Sequence, residues 1–442
     1  MSFRRAIVAQ FVALCVLAPG ARAELLDLES CLELAIKAST NVGISRENLS
    51  TARSSVMRSY GGLMPNVSMN AWAGHSWAGP TTGIVIDEQG RPIQPTGFDY
   101  EQYSFSVSSQ LNVFNWFANY NSITQSKRSA DAAAYELEYT RDLVRAATIR
   151  EYYELVRQNQ LESVQVANLE AKRRNLEQIE AFYKVGSRTK ADYLQAQVDY
   201  SNGELLLLNV RNAKAIADAR LKSRLNVPQD SPLEIDQSME FGETDVDLNA
   251  EIAYMFDHRS SLLASRYRID AARSGLSVAT KARYPNITGS FSYGWNDRTF
   301  PGGGEVFKNN YAWSVGAFLN WNLFDRFQTR SNIESAEALH RIAEYNLQQD
   351  KIDAVLDVKQ IVLNLEQAQE RLKLAETTVA AAEENLRLAE ERYRVGAGTV
   401  LETIEASSSL TQAQASLIDA RVDYLVNRAD LQRATGRKVT SH

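Results

Sequence analysis

Few residues of this chain are placed to do chemistry, and the clearest are acids. Glu402 and Glu405 stand three apart in a helical pattern, which sets both carboxylates on one surface strip. Asp192 heads a similar stretch earlier in the chain, but Gln195 follows it, so only half of the acidic pair recurs. An ordinary solvated helix face would carry the same acids. Catalysis finds no foothold. His75, His258, His340 and His442 are scattered without metal-ligand spacing, and no Ser or Cys nucleophile motif lies beside them. The glycines at 302–304 read as a turn between strands rather than a phosphate cradle, since no helix pattern follows. No catalytic residue, cofactor or metal is therefore expected.

Those acids follow a motif that occurs twice. Residues 393–399 read Tyr-Arg-Val-Gly-Ala-Gly-Thr, and residues 183–189 read Tyr-Lys-Val-Gly-Ser-Arg-Thr. Gly186 and Gly396 are 210 apart, and at the same step Phe114 falls on Phe324, Leu194 on Ile404, Ala196 on Ala406 and Leu221 on Leu431. A repeat of this length governs the fold. Each motif interrupts a long helical pattern, so each reads as the tip of a helical hairpin. Glycine can take positive φ at a helix end, and threonine can cap the next helix. A turn that merely reverses the chain explains the Gly and Thr, but not why the valine and the aromatic recur.

Roughly 65 residues without proline or glycine precede each tip, enough for a helix of ~100 Å. In the second copy Leu365, Ala368, Leu372, Ala375, Val379, Ala382, Leu386, Ala389 and Tyr393 alternate steps of three and four, the seam of a coiled coil. The first copy has a weaker seam of Leu169, Leu176, Ile179 and Tyr183, with Lys172 inside it. Single helices are expected over 25–61 and 248–282, each closed by a Gly or Pro signal.

Four stretches change to a period of two. Val67, Met69, Ala71, Ala73 and Trp77 alternate with small or polar residues, Trp72 being the exception. Tyr103, Phe105, Val107, Leu111 and Val113 do the same, as do Ile287, Phe291, Tyr293 and Trp295. The run from Tyr311 to Leu323 is interrupted only by Phe318. Strands of about ten residues, apolar on one face and small-polar on the other, are the mark of a membrane β-barrel. A sandwich with one wet face alternates likewise. Four strands cannot close a barrel, and an open edge in lipid leaves backbone groups unsatisfied, so other copies of the chain are required.

Residues 1–23 read as a signal peptide: Arg4 and Arg5, an apolar run, then Ala21-Arg22-Ala23. Cys31 would then be alone, a small apolar residue in role. The net charge of −6 excludes a phosphate-driven nucleic-acid binder as the first reading.

Helix, Pro-initiated strand, loop, strand, very long helix, Val-Gly-x-x-Thr turn and returning helix, all twice, resemble the TolC-like outer-membrane efflux protein family. Pro65 and Pro285, Phe114 and Phe324, and the two tips carry the likeness, which covers nearly the whole chain. The resemblance implies a mainly α fold with membrane β-strands. Tandem helical hairpins form a periplasmic α-barrel, and four strands per chain join a twelve-stranded barrel in a homotrimer. The expected division is 24–227 and 248–436 as two repeats, with β-hairpins at 66–114 and 286–324, an equatorial segment at 228–247 and a tail at 437–442. The resemblance further implies a passive exit duct for tripartite efflux or type I secretion, in outer-membrane lipid, joined through a periplasmic adaptor (membrane fusion) protein to an inner-membrane transporter. A soluble coiled-coil scaffold, periplasmic or secreted, is the alternative. By the same likeness Val185, Gly186, Thr189, Val395, Gly396 and Thr399 meet the adaptor. Tyr393, Asp192, Glu402 and Glu405 belong to the constriction at the periplasmic mouth, where three copies would bring a ring of carboxylates that favours cations. Gly398 stands where the family commonly has an arginine.

Overall fold

The computed structural model describes residues 25–80, 85–86, 89–93, 97–239, 241, 246–300 and 304–438. The expected signal peptide, the start of the 301–304 turn and His442 lie outside the described residues. In chain order the elements are α1 (Leu28–Ala38), α2 (Thr40–Gly61), β1 (Asn66–Ala78), the short β2 (Val85–Ile86) and β3 (Pro92–Ile93), and β4 (Phe98–Phe114). Then come α3 (Ala118–Lys184), α4 (Lys190–Leu225), α5 (Leu248–His258), α6 (Ser260–Lys281), β5 (Asn286–Asp297), β6 (Tyr311–Asn320), α7 (Gln328–Arg394) and α8 (Val400–Thr435). Most of the chain is helical, as expected. The element starts keep strict step: Asn66 to Asn286 is 220 residues, and Ala118 to Gln328 and Lys190 to Val400 are each 210. The step changes within the first hairpin, where the paired residues Asn66 and Gln110 stand 44 apart against 34 for Asn286 and Asn320.

The contacts sort the chain into two compact units, and each repeat contributes to both. The first unit holds Met1–Ser45, Leu137–Ser260 and Lys351–His442. Its helices bury the stripe that the heptads predicted. Leu365, Ala368 and Ala375 are buried, Leu372, Val379, Ala382, Leu386, Ala389 and Tyr393 are half-buried, and the residues between Leu372 and Tyr393 that lie off this stripe are exposed. The returning helix α8 contributes Val400, Ala406, Ala413 and Ala420 to the buried set. Such small side chains permit close helix approach.

The helices expected at 25–61 and 248–282 are each broken once. Ser39 is extended (ψ 119°), ends α1 with its N–H on the Ala35 carbonyl, and lends its Oγ to the Val42 N–H at the start of α2. Arg259 takes the same backbone shape (ψ 115°) between α5 and α6. Its guanidinium donates to the Ala434 carbonyl and to Asp357, which holds the break against the end of α8. A periodic pattern passes through such a kink unchanged, because one extended residue costs little phase. Gly436, at positive φ after α8, lies so close to His258 that a Cβ would meet its carbonyl at 2.6 Å.

The second unit, Arg46–Glu136 and Ser261–Asp350, holds the four-stranded sheet in the order β1-β4-β5-β6, antiparallel throughout. The register places every odd-numbered strand residue on one face, apart from a bulge after Asn112. That face is apolar: Val67, Met69, Phe105, Val107, Tyr293, Trp313, Val315 and Leu319 lie on it. The even face carries Ser68, Asn70, Ser106, Ser108, Ser290, Ser292 and Ser314, and no acidic or basic side chain at all; the strand acids Asp99, Glu101 and Asp297, together with His75, are all on the odd face near the loops. Serine hydroxyls meet across strands at 2.8 Å (Ser68 and Ser108) and 2.9 Å (Ser292 and Ser314). Val67, Met69, Trp77, Trp313, Val315 and Leu319 are each at least 65% exposed, so nothing in one copy covers the apolar face at its edges. Among the described residues the outer edges of β1 and β6 are unpaired.

The last strand was expected to reach Leu323 and stops at Asn320. Trp321 instead donates its indole N–H to the Arg283 carbonyl at 3.3 Å. Beyond it Arg326 and Phe327 adopt positive φ, as Trp116 and Phe117 do one repeat earlier. Non-glycine residues there cost roughly 1–2 kcal/mol each, offset locally by Trp116 donating to the Pro285 carbonyl at 2.8 Å and by Asp325 capping the Thr329 N–H at 2.8 Å.

Candidate functional site at the helical tips

Both tips lie in the first unit and are built alike. At the first, Gly186 takes φ +76°, its N–H bonds to the Tyr183 carbonyl at 3.0 Å, and the Ser187 N–H reaches back to Phe182 at 2.9 Å. At the second, Gly396 takes φ +79°, with Gly396 to Tyr393 at 3.1 Å and Ala397 to Arg392 at 2.9 Å. This is the Schellman closure, which satisfies carbonyls at a helix end and needs a left-handed residue. It leaves Val185 77% and Val395 74% exposed, an apolar residue bare at each tip.

The threonines start the returning helices. Thr189 accepts from the Asp192 N–H at 3.2 Å, and the Asp192 carboxylate accepts in return from the Thr189 N–H at 3.1 Å and hydroxyl at 2.9 Å, a full capping box. Thr399 accepts from the Glu402 N–H at 3.2 Å. The Glu402 carboxylate turns aside to Arg392, 3.6 Å away. So the two acids that match in sequence differ in duty: Asp192 holds its own helix start, while Glu402 is partly neutralised by a neighbouring helix. Glu405 is exposed one turn further on.

Between the tips lies a small core of Ile179, Ala196 and Val400, against which Leu176, Tyr193, Tyr393 and Ile404 pack. Tyr183 stacks on Tyr193 with ring centres 5.7 Å apart. Tyr393 is placed differently from its repeat counterpart. Its phenol oxygen is buried without a hydrogen-bond partner, and burial pushes that phenol above its ordinary range against the opposing pull of Arg188. The Arg188 guanidinium sits over the Tyr393 ring. A groove of about 740 Å³ opens here, lined among others by Lys172, Arg174, Phe182, Arg188, Tyr393 and Arg394. Among the described residues no three His, Cys, Asp or Glu side chains converge on a possible metal.

The site residues named from sequence therefore divide. Tyr393 meets the first tip through Arg188, Glu402 joins the second tip to α7, and Val185 and Val395 are free apolar points. Two contacts could not be read from the sequence. Arg188, at the repeat position of Gly398, supplies an arginine to Tyr393 from the other hairpin; the mismatch at that position was the only signal. Lys172 is buried by pairing with Asp199 on α4. A lysine inside a heptad seam hinted at such a partner, but spacing cannot say which acid crosses from the returning helix.

Residues 32–227 and 255–437 match the model of a family described as Outer membrane efflux protein. Among curated relatives, the Outer membrane protein TolC of Vibrio cholerae is 25% identical over 354 residues, covering 77% of this chain and 78% of that one. Among solved structures, the outer membrane protein VceC of Vibrio cholerae superposes with a TM-score of 0.78 at 20% identity, over 93% of this chain and 97% of that one. The CmeC outer membrane channel of Campylobacter jejuni gives 0.80 at 16% identity, over 92% and 85%.

Proposed function

Because the chain belongs to the outer membrane efflux protein family, we propose that three copies of it close their sheets into a single twelve-stranded barrel and form one exit duct. The chain is an outer-membrane efflux channel, passive in its chemistry, and the assembly is what makes it a conduit. The observation that carries this reading is the sheet of the second unit. Its apolar face is exposed at the edges, both of its outer edges are unpaired among the described residues, and its other face is lined mainly by hydroxyls, amides and glycines. In lipid an unpaired edge costs several kcal/mol per backbone group, so the sheet needs partners of its own kind.

The tips are the proposed contact with a periplasmic adaptor (membrane fusion) protein that joins an inner-membrane transporter. The two exposed valines, each held out by a Schellman turn, support that role. Glu402, Glu405, Tyr393 and Asp192 are the proposed constriction. Membrane fractionation tests the whole. Trimers should stay with the outer-membrane fraction until detergent is added and should survive mild heating in detergent; release of monomers by osmotic shock alone overturns the reading.

A further inference from the structure

Phe98 and Tyr100 lie on the polar face at the loop end of β4; deeper in the sheet that face is interrupted by one large ring on each edge strand, Trp72 on β1 and Phe318 on β6. Each ring lies along its own strand towards a glycine. A Cβ on Gly74 would fall 2.2 Å from the Trp72 ring, and one on Gly316 would meet the Phe318 ring at 3.8 Å. Neither Ser108 nor Ser292, which hold the equivalent places on the inner strands, is aromatic. At this level of the sheet the rings stand only on the two edges that a single chain leaves open.

The internal repeat states how those edges meet. Asn66 pairs with Gln110 in the first hairpin; Asn286, a step of 220 later, pairs with Asn320, a step of 210 later. Both hairpins therefore keep one register across the repeat. The seam between them, β4 on β5, has Ser108 opposite Ser292, Ser106 opposite Gly294, Ser104 opposite Asn296 and Tyr103 opposite Asp297. Carried forward by the same steps, this seam becomes β6 on β1, which one chain cannot make with itself.

We propose that β6 of one copy pairs antiparallel with β1 of the next, in the register that sets Phe318 opposite Trp72, Gly316 opposite Gly74, Ser314 opposite Ser76 and Trp313 opposite Trp77. The inference rests on the closed assembly proposed above and adds its residue-level fit. Odd residues meet odd residues, so both faces continue across the seam; a slip of one residue would invert every side chain. The paired glycines leave room for the two rings to lie side by side on the polar face. Trp313 and Trp77 meet on the apolar face near the loops. A cross-strand aromatic pair is a recognised means of fixing register, and here each pair forms only between copies.

Cysteine pairs read the register directly, since a disulfide needs Cβ atoms about 3.5–4.5 Å apart. The full chain carrying Ser314→Cys with Ser76→Cys should convert to covalent trimers on mild copper–phenanthroline oxidation of outer membranes, with the remaining thiols capped afterwards, before electrophoresis. Ser314→Cys with Ala78→Cys, and Ala312→Cys with Ser76→Cys, are shifted by two residues either way and should remain monomers on non-reducing gels. Trimers, seen on native gels, that cross-link only in a shifted pair or in none overturn the register alone. Absence of trimers from the unsubstituted protein overturns the assembly and the register with it.

Discussion

The guanidinium carbon of Arg188, on the tip of the first hairpin, lies 4.6 Å from the centre of the Tyr393 ring at the end of α7. One hairpin thereby holds the other through a cation over an aromatic face, beside a phenol oxygen that finds no hydrogen bond. Such a contact contributes roughly 0.5–1 kcal/mol when partly exposed. Arg188→Ala should loosen the tips, raising mean single-channel conductance and its fluctuation in planar bilayers, while Arg188→Lys should restore much of the original behaviour. Identical traces for all three proteins would remove this contact from any account of gating.

The tip glycines separate folding from docking. Nothing lies within 4 Å of a Cβ built on Gly186 or Gly396, so bulk at either place meets open space and only the positive φ is penalised, by roughly 1–2 kcal/mol. Gly186→Trp and Gly396→Trp should leave trimers in the outer membrane yet abolish efflux, measured as intracellular accumulation of a fluorescent substrate. Normal efflux by both variants would show that the tips only reverse the chain.

Charge selectivity should come from the helical tips, because the polar face of the sheet has no charge to supply it. Glu402→Ala with Glu405→Ala should lower the cation-to-anion permeability ratio, read from reversal potentials in a salt gradient. Since Arg392 stands 3.6 Å from Glu402, Glu405→Gln should do more alone than Glu402→Gln. An unchanged ratio in the double variant would return both acids to the class of solvated helix residues.

Cys31 offers a pH-dependent readout of the helical unit. Burial, with Asp27 adding to it, pushes this thiol from its ordinary 9.0 to about 11. A raised pKa in the folded state means that its contribution to stability is present in full below pH 9 and is lost as pH rises from there through about 11. Resistance to urea should therefore fall over that interval, and Cys31→Ala should flatten the fall. At pH 8 a maleimide should label Cys31 only after unfolding; rapid labelling of the native protein would contradict its place in the α1 core beside Leu28, Leu32 and Ala35.

Much of the architecture was legible because two periods and one repeat encode it. The seam from Leu365 to Tyr393 could be read residue by residue, since a helix buries every third or fourth position and nothing else on α7 competes there. The alternation likewise gave the two faces of the sheet, with Trp72 and Phe318 standing out as misfits. What could not be read depends on groups far apart in sequence. Ser39 and Arg259 break helices through backbone extension, and Arg259 is held by Asp357 and Ala434, which lie 98 and 175 residues further along the chain. Asp192 and Glu402 look equivalent in sequence, yet one closes a capping box and the other turns to Arg392, whose repeat position at the first tip is held by Phe182.

The first hairpin has ten more residues between Asn66 and Gln110 than the second has between Asn286 and Asn320, yet the register of the pairs they share is unchanged. Chain length at that bend is thus decoupled from the wall it connects, as expected where closure entropy grows by only ~0.6 kcal/mol per doubling. For a protein engineer this is a ready graft point. An epitope or affinity peptide spliced between residues 79 and 97 should be displayed while β1 and β4 stay paired, and would turn the channel into a handle for capturing intact cells.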